Sequence, residues 1–249
     1  MKLYNYDKKG NIYNVTKRII GMSRKALSII STVTQDIMAS HGIPGGATVG
    51  HLFSAYQANR EQAGREILMK RLEEAEVDAY EVASQDELIG VVYSYMLCAS
   101  KGAARINLDL LAQAIAGEMK GDGIYPDKFH KYINILSSLT RDEILVIGTY
   151  ISCYNKVSME IKKAREGNLN YPNNIKHGAW NRMIYELSPS TFPTREHVEV
   201  ICGSLIRTGL TTALPPAIGN PMSHGFTVLL DEISSLIDFE RAYRDYPKY

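Results

Sequence analysis

Apolar residues in this chain recur mostly three and four positions apart, the spacing of amphipathic helices. Met22, Leu27, Ile30, Val33 and Ile37 predict a helix over 22–40, which Gly42, Pro44, Gly45 and Gly46 break. Leu52, Tyr56, Ala63, Ile67, Leu68 and Leu72 then form the stripe of a long helix over 48–77. Acidic residues from Glu73 to Glu76 sit at the unfavourable end of its dipole, so they need basic partners or an earlier helix end. Residues 86–119 are helical as one rod or as two helices meeting near Lys101-Gly102, and Gly121-Asp122-Gly123 is a break. A shorter helix is predicted over 126–138. Thr140-Arg141-Asp142-Glu143 has the form of a capping box, opening a helix through Ile144, Ile147, Ile151, Tyr154 and Ile161. Polar residues from Asn168 to Asn174 mark a domain boundary, and one more helix surrounds Trp180, Met183 and Leu187.

Beyond that helix the pattern changes. Thr194 is placed to cap a helix whose inner face is Val198, Ile201, Cys202 and Leu205, and Gly209 is placed to stop it. Residues 210–214 and 226–230 read as short strands around Pro215, Pro216, Gly219 and Pro221, and Asp231 opens a last helix. Helix, ribbon, helix is the outline of a winged-helix module. The expected fold is therefore mainly α: a basic arm over 1–20, a helical bundle over 21–167, and a winged-helix-like C-terminal domain over 168–249 with a short β-ribbon.

Charge sharpens the functional alternatives. The net charge of +1 provides no global attraction for polyanions. Locally, the first 25 residues carry Lys2, Lys8, Lys9, Lys17, Arg18, Arg24 and Lys25 against Asp7 alone. If the winged-helix outline met DNA, Lys8, Lys9, Lys17 and Arg18 of the arm and Arg195 and Arg207 of the recognition helix would be the contacts. Glu196 and Glu199 neutralise that helix, and no Lys or Arg lies between Pro215 and His224, so phosphate neutralisation is poorly supplied. Residues 37–59 lack Asp, Glu, Lys and Arg but include four glycines and several polar groups. They fit a buried helix-turn-helix better than a membrane-active segment.

Catalytic and metal chemistry finds little footing. The Gly42–Gly50 stretch lacks the Gly-Lys-Ser/Thr ending of a phosphate loop. No histidine lies three or four residues from another His or Cys, so zinc-type spacing is missing. Three scattered cysteines among apolar neighbours fit a reducing, cytoplasmic setting, and no apolar stretch follows the first lysines as a signal peptide would require. No cofactor or small-molecule substrate is indicated. Sixteen tyrosines and abundant amphipathic helices instead suggest protein contacts or self-association, with Leu52, Tyr56, Ile67, Leu68 and Leu72 as the expected oligomer face.

Over 102–151 the chain places Asn107-Leu108 and Leu110 in one helix, Tyr125-Pro126 at a turn, and Ile135-Leu136 and Leu139-Thr140 ahead of Asp142-Glu143. That outline, with Ser204 to Leu210 before a short ribbon, resembles the Abi-alpha-like class of bacterial helical proteins linked to abortive infection of phage. The resemblance covers about half of the chain and brings no catalytic residues. With the amphipathic helices, the tyrosines and the lack of site chemistry, the expectation is a non-enzymatic bacterial or phage protein acting through protein contacts, and the resemblance implies phage–host conflict as its setting. A winged-helix DNA-binding regulator and a membrane-active effector through residues 37–59 are the alternatives.

Overall fold

The computed structural model describes residues 49–75, 85–120, 125–166, 175–214 and 223–246. Among them the fold is mainly α, with a single two-stranded ribbon. The basic arm, the helix expected over 22–40, its glycine break and the loop over 168–174 lie outside the described residues. So does most of 37–59. The chain divides into two compact units between Ile133 and Asn134, within the helix Pro126–Leu136.

The first unit is built from α1 (Val49–Glu74), α2 (Gln85–Ser100), α3 (Arg105–Lys120) and the start of α4 (Pro126–Leu136). The region over 86–119 is thus two helices. Gly102, at φ 91°, takes a left-handed turn between them that a side chain would resist. Helix α3 buries twelve of its sixteen residues and packs against both α1 and α2. Because it is enclosed nearly all round, its polar residues need internal partners. Buried Asp109 takes two hydrogen bonds from buried Arg71, at 2.7 and 2.8 Å, and a third from Gln113. Arg71 also donates to Glu74 at 2.7 Å, which gives one of the glutamates at the end of α1 its basic partner. Buried Glu118 accepts from the Tyr132 hydroxyl at 2.8 Å and meets Lys128 at 2.7 Å.

The second unit centres on α5 (Arg141–Glu166), which packs against α6 (Ile175–Leu187), α7 (Arg195–Ser204) and α9 (Phe239–Asp245). Those contacts place α5 with the C-terminal elements, so the compact unit begins before it and not at the 168–174 loop. The capping box forms as its sequence predicts: the Thr140 amide donates to Glu143 at 2.8 Å, and the Glu143 amide donates to the Thr140 hydroxyl at 3.2 Å. Ile144, Ile147, Cys153, Val157 and Ile161 are the buried face of α5, and Trp180, Met183 and Leu187 that of α6. At Gly148 the backbone of Glu240 comes so close that a β-carbon would lie 3.1 Å from its amide nitrogen.

The ribbon pairs β1 (Thr211–Leu214) with β2 (Ser223–Phe226) antiparallel, with Thr211 opposite Phe226 and Ala213 opposite His224. A 3-10 turn over Leu205–Thr208 leads into it, and Gly209 at φ 74° ends that turn as expected. Three expectations need correction. The second strand lies at Ser223–Phe226 and not over 226–230, because residues Val228–Ser234 form α8, with Thr227 at its N-cap. The last helix is two short ones, since Asp238 caps α9 through its carboxylate and the Arg241 amide at 2.9 Å. Thr194 does stand at the N-cap of α7 in extended backbone, but its hydroxyl meets the His197 ring at 3.0 Å and not a backbone amide.

Candidate interaction surface

Helix α7 and the turn after it carry Arg195 and Arg207, the two cations singled out in this unit for binding. Inward go Val198, Cys202 and Leu205, all fully buried. Outward at helical spacing lie Glu196, His197, Val200 and Ser204, followed by Ile206 and Arg207. Val200 is 72% exposed and Ile206 45%, so this face shows aliphatic surface to solvent.

Its cations are already engaged. Arg195 donates to Glu199 at 2.7 Å across one helical turn. Arg207 grips Glu143 through both carboxylate oxygens and also donates to the Ser138 carbonyl at 2.9 Å. The Ser204 hydroxyl reaches the same carboxylate. Glu143 thus serves two structures at once, as capping-box acid of α5 and as anchor for the end of α7. Burial alone would raise its pKa, but hydrogen bonds from Arg207, Ser204 and the Thr140 amide overcome that and hold it at about 2. The stabilisation is present above the ordinary glutamate value of ~4.3 and is lost as pH falls from there through about 2. Glu143→Ala should remove the cap and leave Arg207 unpaired, lowering stability by about 1–3 kcal/mol. Chemical denaturation checks this, and a loss below about 0.5 kcal/mol would mean the junction contributes nothing.

The other expected contacts fare differently. Lys8, Lys9, Lys17 and Arg18 lie outside the described residues. In the expected oligomer stripe, Leu68 is 0%, Leu72 2% and Ile67 9% exposed. These three belong to the core of the first unit, where α2 and α3 pack on α1, and they cannot form an outer face. Tyr56 alone of the stripe is shown exposed, with the Arg60 guanidinium 5.8 Å above its ring, while the Leu52 side chain is outside the described residues.

No family model, curated protein or solved structure matches this chain. A half-open groove of about 290 Å³ in the second unit is lined by Ile144, Gly148, Lys156, Glu186, Glu240 and Arg244, among others. Burial works to raise the Glu186 pKa, but Lys156 and Arg182, each 3.3 Å away, bring it below its ordinary value. That is an ion-pair arrangement and not a poised acid. Burial raises the thiols of Cys153 and Cys202 to about 12, far from the thiolate range a nucleophile needs. Among the described residues no group of His, Cys, Asp and Glu could hold a metal, and no helix is long and apolar enough to cross a membrane.

The Arg207–Glu143 junction escaped sequence analysis because its partners are 64 residues apart. Only the capping-box half carries a local signal. Helical spacing sets Val200 off the Val198, Ile201, Cys202 and Leu205 stripe, but whether another element covers it is not a local property, and in the structure it is 72% exposed.

Proposed function

We propose that this is a non-enzymatic bacterial or phage protein that acts through protein contacts, with the outward face of α7 as its contact surface and phage–host conflict as its setting. One observation carries the contact reading: α7 and the turn after it offer exposed Val200 and Ile206 while Arg195 and Arg207 are held by Glu199 and Glu143. A DNA-reading helix needs cations available for phosphate and for base edges. Aliphatic groups surrounded by neutralised charge suit the desolvated centre of a protein interface instead. On this reading the helix–ribbon–helix unit is a winged-helix-like scaffold and not a DNA reader. The setting rests on the resemblance to the Abi-alpha-like class over 102–151.

Two measurements test the proposal. Anisotropy of labelled random duplex DNA, titrated from low to physiological salt, should show no binding. Light scattering on the eluting protein should give a mass above one chain, falling to the monomer in Val200→Asp with an unchanged helical signal. Steeply salt-dependent DNA binding would overturn the proposal in favour of a regulator that uses its basic arm. A monomer at high concentration would remove self-association as its mode of action.

A further inference from the structure

His224 is held in an unusual place for an ionisable ring. It lies on β2, is 7% exposed, and sits 5.6 Å from the Trp180 ring of α6 in a tilted arrangement. On the α7 side its Nε2 lies 3.9 Å from where a β-carbon of Gly203 would stand, an ordinary van der Waals distance, so the ring sits beside that helix. Its Nδ1 is buried without a hydrogen-bond partner. Two residues along the same strand, Phe226 stacks on Tyr150 of α5 with centroids 3.7 Å apart, and its carbonyl accepts from Lys176 of α6 at 3.2 Å. Strand β2 is therefore fastened to the helices by two aromatic contacts, of which only the one at His224 can acquire charge.

We propose that His224 is a proton-sensitive latch: its neutral ring docks the β-ribbon on α6 and α7, and its protonation releases the ribbon from them. The groups around it favour the neutral ring on balance. The Gly203 backbone offers it no counter-charge, the Trp180 ring only the weak attraction of an aromatic face for a cation, and β1 contributes only Thr211, Thr212, Ala213 and Leu214. The Lys176 ammonium is engaged by the Phe226 carbonyl, two residues along the strand. Tyr150 is neutral, because burial foremost raises its pKa well above the ordinary phenol value. Glu199 of α7 is the one acid that acts on His224, and Arg195 already occupies it. Burial accordingly lowers the imidazole pKa below its ordinary value, with Glu199 pulling the other way. Docking is complete above the unfolded-state value of ~6.5 and is lost as pH falls from there through the lower folded-state value. The Glu143 junction stays ionised through that window, since its carboxyl titrates only at about 2. The tie from Arg207 to Glu143, which joins the end of α7 to the start of α5, thus persists through that window. The latch does not depend on what α7 binds.

Trp180 is the only tryptophan in the chain, so its emission reports on this contact without ambiguity. On acidification of the full chain from pH 7.5 to 4.5, the emission of Trp180 should fall and shift to longer wavelength, reversibly, while the far-ultraviolet helical signal holds. His224→Gln should abolish the step. Glu199→Gln should move the midpoint to lower pH, because it removes the acid that favours the imidazolium. A step that persists in His224→Gln would overturn the latch, as would a fall in intensity with no wavelength shift, which is quenching without release. Should His224→Gln lose its helical signal, Glu199→Gln decides alone, and an unmoved midpoint overturns the proposal.

Discussion

Arg71→Leu should lower the unfolding free energy by about 3–5 kcal/mol, the cost of leaving a buried carboxylate without its cation. Asp109 is 1% exposed and takes both of its strong hydrogen bonds from the Arg71 guanidinium, so only Gln113 among the contacts described above would remain to it. The size of the loss reflects desolvation more than attraction. An ion pair in a low-dielectric interior is held together strongly, but both ions gave up their water to be there. The double variant Arg71→Leu with Asp109→Leu should therefore recover most of the loss, because neither charge is then stranded. Urea denaturation followed by circular dichroism measures both. A single variant that loses less than about 0.5 kcal/mol would show that Asp109 is reached by water, as a surface group is.

The second large effect is steric. Gly64→Ala should destabilise the first unit by about 1–3 kcal/mol, although alanine is the better helix former. A β-carbon at residue 64 would lie 2.7 Å from the Ala99 Cβ, and neither atom can rotate away. Helices α1 and α2 would have to separate, which also strains the hydrogen bond from the Tyr95 hydroxyl to the Gly64 carbonyl at 2.9 Å. Tyr95 is fully buried, so its hydroxyl would find no replacement partner in solvent. Ala99→Gly in the same chain should return part of the stability by vacating the clashing position. A shift in melting temperature for the single variant, reduced in the double, is the expected pattern. Equal melting temperatures for Gly64→Ala and the parent would mean that the two helices have room to spare.

Both effects arise at positions whose importance no local pattern displays. Arg71 reads in sequence as one of several cations on the polar side of a long helix, and Asp109 as an acid within a helical stripe. They pair because α3 is enclosed on nearly every side and has to satisfy its acid internally. Gly64 similarly reads as a mild flaw in a helix, until Ala99 is found facing it. The oligomer stripe shows the converse problem. Leu68 and Leu72 were correctly recognisable as one apolar face, but periodicity identifies a face without saying what covers it. Here α2 and α3 of the same unit cover it.

What the sequence determined by itself are the features decided within a few residues. Helical periodicity marked the spans of α1 to α7 as helix, because burying one face demands that spacing, but left 86–119 open as one rod or two helices. The capping box at Thr140 and Glu143 and the stop at Gly209 were legible because amide satisfaction and positive φ are local demands. Even locally the signal blurred where short elements abut: the apolar run from Phe226 to Leu230 reads as a strand, but pairing ends at Phe226 and Val228–Ser234 is helix. Only the tertiary structure decided which apolar residues stay outside, as Val200 does, and which charges are spent on internal partners, as Arg207 is. It also decided that His224 would be buried against Trp180. The physical reason is the same in each case. Burial and charge neutralisation are settled by whichever residue arrives from a distant part of the chain, and a spacing rule along the chain carries no record of that arrival.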